Sequence, residues 1–181
     1  MASRSISARR YAEAVFALAL EGDTFVSWSG DLRTIADFVD EPDIAGILRS
    51  GRVPRSEKLR LLEAGLAGEV SVLAMNLVRL LHERGKIELA RGIQAAFQEM
   101  MDAHLNIAHA TVTTAVPLAG DERSAIAARL SAMTGKQVDV TSVVDEGIIG
   151  GVIARIGDQL IDGSTRTRLL ALKRRLEGAA R

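Results

Sequence analysis

The sequence predicts a mainly α-helical protein: an N-terminal six-helix bundle followed by a small α/β domain. Three observations carry this expectation. From Ser5 to about Leu105, apolar residues recur at the i, i+3, i+4, i+7 spacing that puts them on one face of a helix. After Asn106 the pattern changes to short Thr- and Val-rich runs, which suit strands. Between Ile148 and Leu169, the chain reads IIGGVIARIGDQLIDGSTRTRL: a glycine pair, two short strands around a turn, and a helix cap.

Ala8, Tyr11, Ala12, Val15, Phe16 and Ala19 form the apolar face of a first helix, which Gly22 ends. A second, from about Thr24 to Val39, places Trp28, Leu32, Ile35 and Val39 on one side. Pro42 suits the first turn of a short third helix with Ile44, Ile47 and Leu48. Ser50-Gly51 breaks it. A fourth begins near Ser56 and carries Leu59, Leu62 and Leu66, and Ala67-Gly68 breaks the chain again. The fifth, about Ser71 to Arg84, is apolar almost all round, with Leu73, Leu77 and Leu81 as its expected inward face. A helix of that kind is central or touches a partner. His82 is expected to cap its end, and Gly85 to stop it. The sixth runs from about Ile87 to Leu105 with Leu89, Ile93, Phe97 and Met100 in register. The domain boundary is expected near Ile107 to His109, giving residues 1–106 and 107–181.

In the second half, Ala110 to Val116 reads as a strand that Pro117 ends. Asp121 to Met133 is helical with Ile126 and Leu130 inward, and Asp121-Glu122 suits its N-terminus. Val138 to Val144 is a second strand. Val152, Ala154 and Ile156 alternate with Ile153, Arg155 and Gly157 in a third. Gly157-Asp158 is a hairpin turn pair, and Gln159 to Ile161 returns as a fourth strand. Gly150 and Gly151 lack a Cβ and let other backbone approach. Asp162-Gly163-Ser164 offers cap side chains for a last helix with Leu169, Leu172 and Leu176.

Composition excludes several functions. Lys plus Arg equals Asp plus Glu, 23 of each, so there is no basic surplus for phosphate backbones. Absence of cysteine leaves no disulfide and no thiolate chemistry. No apolar run approaches the roughly 20 residues that span a bilayer. Met1 to Ser7 lacks the apolar core of a signal sequence and is too short for a transit peptide, so a cytosolic and bacterial setting is expected.

The sequence holds no recognisable catalytic constellation. Thr134-Gly135-Lys136 lacks the earlier glycine of a phosphate loop, and Gln137 stands where a magnesium-holding hydroxyl would be. Gly150-Gly151 has no third glycine at dinucleotide spacing. His104 and His109 are badly spaced for one metal on one helix face. Asp145-Glu146 reads as a solvated turn. The basic run Arg166, Arg168, Lys173, Arg174, Arg175 could touch phosphates, but it reads more simply as a solvated helix face. No cofactor, metal or small-molecule substrate is expected.

Two helices carry more than a core face. Ala14, Ala17 and Leu18 form a small-residue stripe off the main face of the first helix. Val72, Met75, Asn76 and Arg79 fall off the expected inward face of the fifth. Small residues beside a flexible Met suit a docked helix. The alternative is that both helices are simply buried on two sides.

Three stretches of the chain resemble one family, the delta subunit of bacterial ATP synthase, homologous to the mitochondrial oligomycin-sensitivity-conferring protein. Tyr11 to Ala19 (YAEAVFALA) is similar to the family's opening helix. Asn76 to Lys86 (NLVRLLHERGK) is similar to the end of its fifth. Val138 to Gly157, with Asp145, Ile148, Gly150-Gly151, Val152 and Arg155, resembles its signature, and Asp162-Gly163-Ser164 to Leu169 continues it. Ala154 departs from the pattern, being smaller than the expected branched residue.

The resemblance implies a non-catalytic stator subunit on top of the catalytic head of the rotary, proton-translocating ATP synthase. It implies that the helical domain binds the N-terminal helix of an alpha subunit through Tyr11, Ala14, Leu18, Met75, Asn76 and Arg79. It further implies that the C-terminal domain holds the peripheral stalk b subunits, with Leu169, Leu172, Arg174 and Leu176 as docking residues. Gly150, Gly151, Arg155, Gly157, Asp162 and Ser164 are then structural signature residues. Location would be the cytoplasmic face of the bacterial cell membrane, held there only through the complex. The rival readings are an RNA-binding adaptor that uses the basic last helix and a small enzyme. Neutral charge and the lack of stacking aromatics in the strands oppose the first, and the lack of converging polar groups opposes the second.

Overall fold

The structure is a computed structural model. It describes residues 2–145, 147–148, 150–167 and 169, with side chains from Ile6 onward. The chain is mainly helical with a small C-terminal sheet of four strands. It divides into two compact units, one ending at Met101 and the other starting at Asp102.

In the first unit, α1 (Ala2–Gly22), α2 (Phe25–Asp40), α3 (Pro42–Arg49), α4 (Arg55–Leu66) and α5 (Val72–Glu83) follow one another. A short 3-10 turn (Ile87–Leu89) then leads into α6 (Ala90–His104). Helix α2 is the hub: it packs against α1, α3, α4 and α5. Its face of Trp28, Leu32, Ile35 and Val39 is buried. The small residues Ala8, Ala12 and Ala19 of α1 are also buried, so the backbones approach closely there. Pro42 takes the first turn of α3, where its missing N–H costs nothing.

Polar groups fix the joints between these helices. Asp31, buried in α2, accepts the backbone N–H of Ser71 at 3.3 Å. Ser71 in turn caps α5, its hydroxyl accepting the N–H of Ala74 at 3.2 Å. The Nε of Arg91 donates to Asp40 and its Nη2 to Asp37, each at 2.8 Å. These bonds, Asp40 first, hold the guanidinium above its ordinary pKa. His82 does not cap the end of α5 as expected. It is buried, and its Nε2 lies 3.0 Å from the carbonyl oxygen of Arg55, tying α5 to the start of α4.

One expectation for a buried face changes. Leu73 is 57% exposed, and Ala74, at 0%, takes the core position beside Leu77, Val78 and Leu81. In α3 no residue is fully buried, so its apolar side rests on the core without entering it.

In the second unit, β1 (Ile107–Thr114) is followed by α7 (Gly120–Thr134), β2 (Gln137–Val144), β3 (Val152–Ile156) and β4 (Gln159–Asp162). The strand order is β2-β1-β3-β4, with β1 and β2 parallel and the other pairs antiparallel. Strand β1 begins three residues before the expected Ala110. Asn106, at φ +57, turns the chain sharply out of α6 and its side-chain amide donates to Gly135 O, so no linker is needed. Ala110, Val112, Val138, Val140 and Ala154 face Leu130 of α7 in a small aliphatic core. Every Phe, Tyr and Trp ring of the chain lies between Tyr11 and Phe97, so this second core contains none.

The turn at Gly157-Asp158 has a positive φ at the glycine only, which suits a two-residue hairpin loop between Ile156 and Gln159. Thr134-Gly135-Lys136 is the end of α7: Gly135 adopts φ +68, and the Thr134 hydroxyl donates to Leu130 O. At the other end, the Glu122 carboxylate accepts the N–H of Ala119 at 3.0 Å.

Candidate functional site

On α1, Ala14 is exposed and Leu18 is 48% exposed, while Tyr11 is half-buried against the core. Ala17 and Leu20 are exposed too. On α5, Asn76 and Arg79 are exposed, and Met75 is half-buried against the core. The outward side of α5 is apolar to a degree unusual for a solvated helix: Val72, Leu73 and Leu80 are all exposed. The sequence marks this helix as apolar almost all round, Leu80 included, but its spacing assigns Leu73 inward, where the structure leaves it exposed. Arg79 is held rather than free. Its Nε donates to Glu63 of α4 at 2.7 Å and its Nη1 to Asn76 at 3.2 Å. Glu63 is the partner that no local motif pointed to.

In the C-terminal unit four of the signature residues, Gly150, Gly151, Asp162 and Ser164, form one knot. Gly151 has φ +89, and a Cβ there would lie 2.6 Å from Gly163 O and 2.8 Å from Ser164 Cα. Only glycine fits that approach. The carbonyl of Gly150 accepts both the N–H and the hydroxyl of Thr165, at 3.0 and 3.1 Å. Gly163 N–H donates to Val152 O at 2.9 Å. Asp162 accepts the N–H of Ser164 at 2.8 Å and the hydroxyl of Thr167 at 2.7 Å. These bonds, the backbone one first, hold its carboxyl below the usual carboxylate range. Buried Ser164 accepts the N–H of Thr167, as a helix cap does. Arg155 is exposed on the opposite sheet face, its Nε reaching Gly157 O at 3.4 Å.

Leu169 is helical and 61% exposed. Leu172, Arg174 and Leu176 lie outside the described residues. An apolar hollow of about 290 Å³ separates α7 from the β3–β4 hairpin, walled by Ile126, Met133, Val152 and Ile161. Asp145 makes a turn by accepting Gly147 N–H at 2.8 Å, which accounts for its place in the sequence without chemistry. Among the described residues no group of three metal-binding side chains converges, and no helix is long and apolar enough to cross a membrane.

A helical unit with uncovered apolar faces, joined to a small sheet unit with a self-braced signature loop, defines an interaction protein. Comparison gives the class a family. The ATP synthase delta (OSCP) subunit model matches residues 7–176. The ATP synthase subunit delta of Desulfotalea psychrophila is 33% identical, over 97% of this chain and 98% of that one. That of Gemmatimonas aurantiaca is 36% identical, over 94% and 93%. Among solved structures, a chain of the Toxoplasma gondii mitochondrial ATP synthase hexamer aligns over 93% of this chain and 96% of its own. Its TM-score is 0.62 at 25% identity. The chain belongs to the ATP synthase delta (OSCP) subunit family, whose members are non-catalytic structural subunits of that complex.

Proposed function

We propose that this chain is the stator link of a rotary, proton-translocating ATP synthase: it joins the catalytic head to the peripheral stalk and resists rotor torque. Residues 1–106 hold the N-terminal helix of an alpha subunit, and residues 107–181 hold the C-terminal part of the b subunits. The protein works at the cytoplasmic face of the bacterial cell membrane and touches the membrane only through the complex. The observation that carries this reading is the uncovered apolar side of α5, beside a family likeness that runs almost the length of the chain. Val72, Leu73 and Leu80 gain by leaving water, and Leu18 with the small residues Ala14 and Ala17 offers a matching low surface on α1. Asn76 and Arg79, already braced by Glu63, supply polar ends at little further cost in side-chain entropy. On the second unit, exposed Leu169 and the apolar hollow beside α7 support stalk binding. Leu172, Arg174 and Leu176, outside the described residues, are the other stalk contacts in the proposal.

Calorimetric titration with a peptide of the alpha N-terminal helix tests the head-binding half. Ala14→Asp is exposed, so its melting curve should stay in place while affinity falls, because the new carboxylate is desolvated against an apolar helix. Unchanged affinity for both Ala14→Asp and Leu80→Asp would remove the α1 and α5 faces from the interface.

A further inference from the structure

A cleft of about 550 Å³ opens in the helical unit, between the ends of α2, α3 and α5 and the start of α4. It is separate from the exposed faces of α1 and α5. Its floor is apolar, from Leu48 and Ile87, and its polar lining is mostly cationic. Lys58 is fixed there: its ammonium donates to Leu48 O at 2.8 Å and Ser50 O at 2.7 Å, leaving one of its three N–H donors unspent. Arg49 uses its Nε on Ala45 O at 3.1 Å, so both terminal amino groups of its fork remain. Arg55 makes no side-chain ion pair among the described residues, and its Nη2 lies over Gly85, 3.7 Å from where a Cβ would stand.

Two carboxylates share the lining, Asp40 and Glu88. Asp40 is already taken by Arg91 at 2.8 Å. His82 adds a fourth polar group. Its Nε2 lies 3.0 Å from Arg55 O, which fixes the ring at the edge of the cleft.

We propose that this cleft binds a small organic phosphate. A terminal phosphoryl group carries up to two negative charges and three oxygens, for which guanidinium forks and an ammonium lining one cleft are the matching chemistry. The volume exceeds one phosphate and falls in the range of small-ligand sites, about 300–1,000 Å³. The apolar floor accommodates the organic part.

The test titrates the full chain with inorganic phosphate and with phenyl phosphate, following backbone amide shifts by NMR. Both should move the amides of Leu48, Arg55 and Gly85, and phenyl phosphate should bind more tightly. The double variant Arg49→Gln/Arg55→Gln should melt normally and bind phenyl phosphate at least about tenfold more weakly, a change of about 1.4 kcal/mol. Lack of any shift at millimolar probe would overturn the proposal. So would shifts confined to other regions, or equal affinity in wild type and the double variant. If the double variant melts early, the single variants Arg49→Gln and Arg55→Gln carry the same test. Binding of the alpha peptide is measured separately, so failure here leaves that reading standing.

Discussion

A methyl group on Gly151 would stand 2.6 Å from the carbonyl oxygen of Gly163, closer than real Cβ contacts occur. The loop before β3 and the cap of the last helix are therefore one packed unit. Gly151→Val should destabilise the C-terminal unit by about 1–3 kcal/mol, from overpacking and a φ unsuited to a branched residue. Far-UV circular dichroism should show the loss. Trp28, the sole tryptophan, lies in the other unit, so its fluorescence transition should stay where it was. A shift in both transitions, or in neither, would count against this placement.

The Asp162 cap should be pH-dependent in a defined direction. Its folded-state carboxyl is held below the ordinary 3.8 by bonds to Ser164 and Thr167. The carboxylate's contribution is thus fully present above the unfolded value and is lost as pH falls through the lower folded value. Wild type should be more stable than Asp162→Asn near neutrality, and the gap should close in acid. A gap that stayed constant across the acid range would show that the carboxylate's charge is not the stabilising feature.

Asp31 and Ser71 form a relay from the middle of α2 to the first turn of α5. Asp31→Ala removes the acceptor of the Ser71 N–H and should cost about 0.5–1.5 kcal/mol, the net worth of one hydrogen bond. Ser71→Ala removes the cap and should cost about 0.5–2 kcal/mol. Urea melts followed by Trp28 fluorescence measure both. Because the two residues share one network, the double variant should cost less than the sum.

A fragment ending at Leu105 should fold alone. The α1 to α6 core is closed by its own residues from Ala8 to Phe97. Circular dichroism and Trp28 fluorescence should melt together in one cooperative step. A broad, non-cooperative melt would mean that the first unit needs the second.

The sequence was most legible where the apolar spacing allows only one rotation of a helix. Trp28, Leu32, Ile35 and Val39 are spaced so, and all are buried. It was least legible in α5, where Val72 to Ala74 are consecutive apolar residues and periodicity cannot say which faces in. Packing decides: α2 and α4 both lie against α5, and Ala74 is buried while Leu73 is exposed. The Gly151 loop could be found because a glycine pair just before an alternating strand marks a place where other backbone comes close. The cationic cleft could not, since Arg49, Arg55, Lys58 and His82 come from three helices and match no local motif. His82 likewise looks terminal in sequence and is inward in space, because α4 passes beside it.

The place of β1 in the sheet has a mechanical meaning. The chain leaves α6 directly into this strand, which is flanked on both sides: β2 pairs with it from Ile107 to Thr114, and β3 from Ala110 to Thr114. Strand β1 is therefore interior, and a load along its own axis acts on both of its ladders. To give way, β1 must slide past two neighbours at once, breaking many rungs in parallel instead of peeling them singly from an edge. A load applied along β1 therefore meets the sheet in shear.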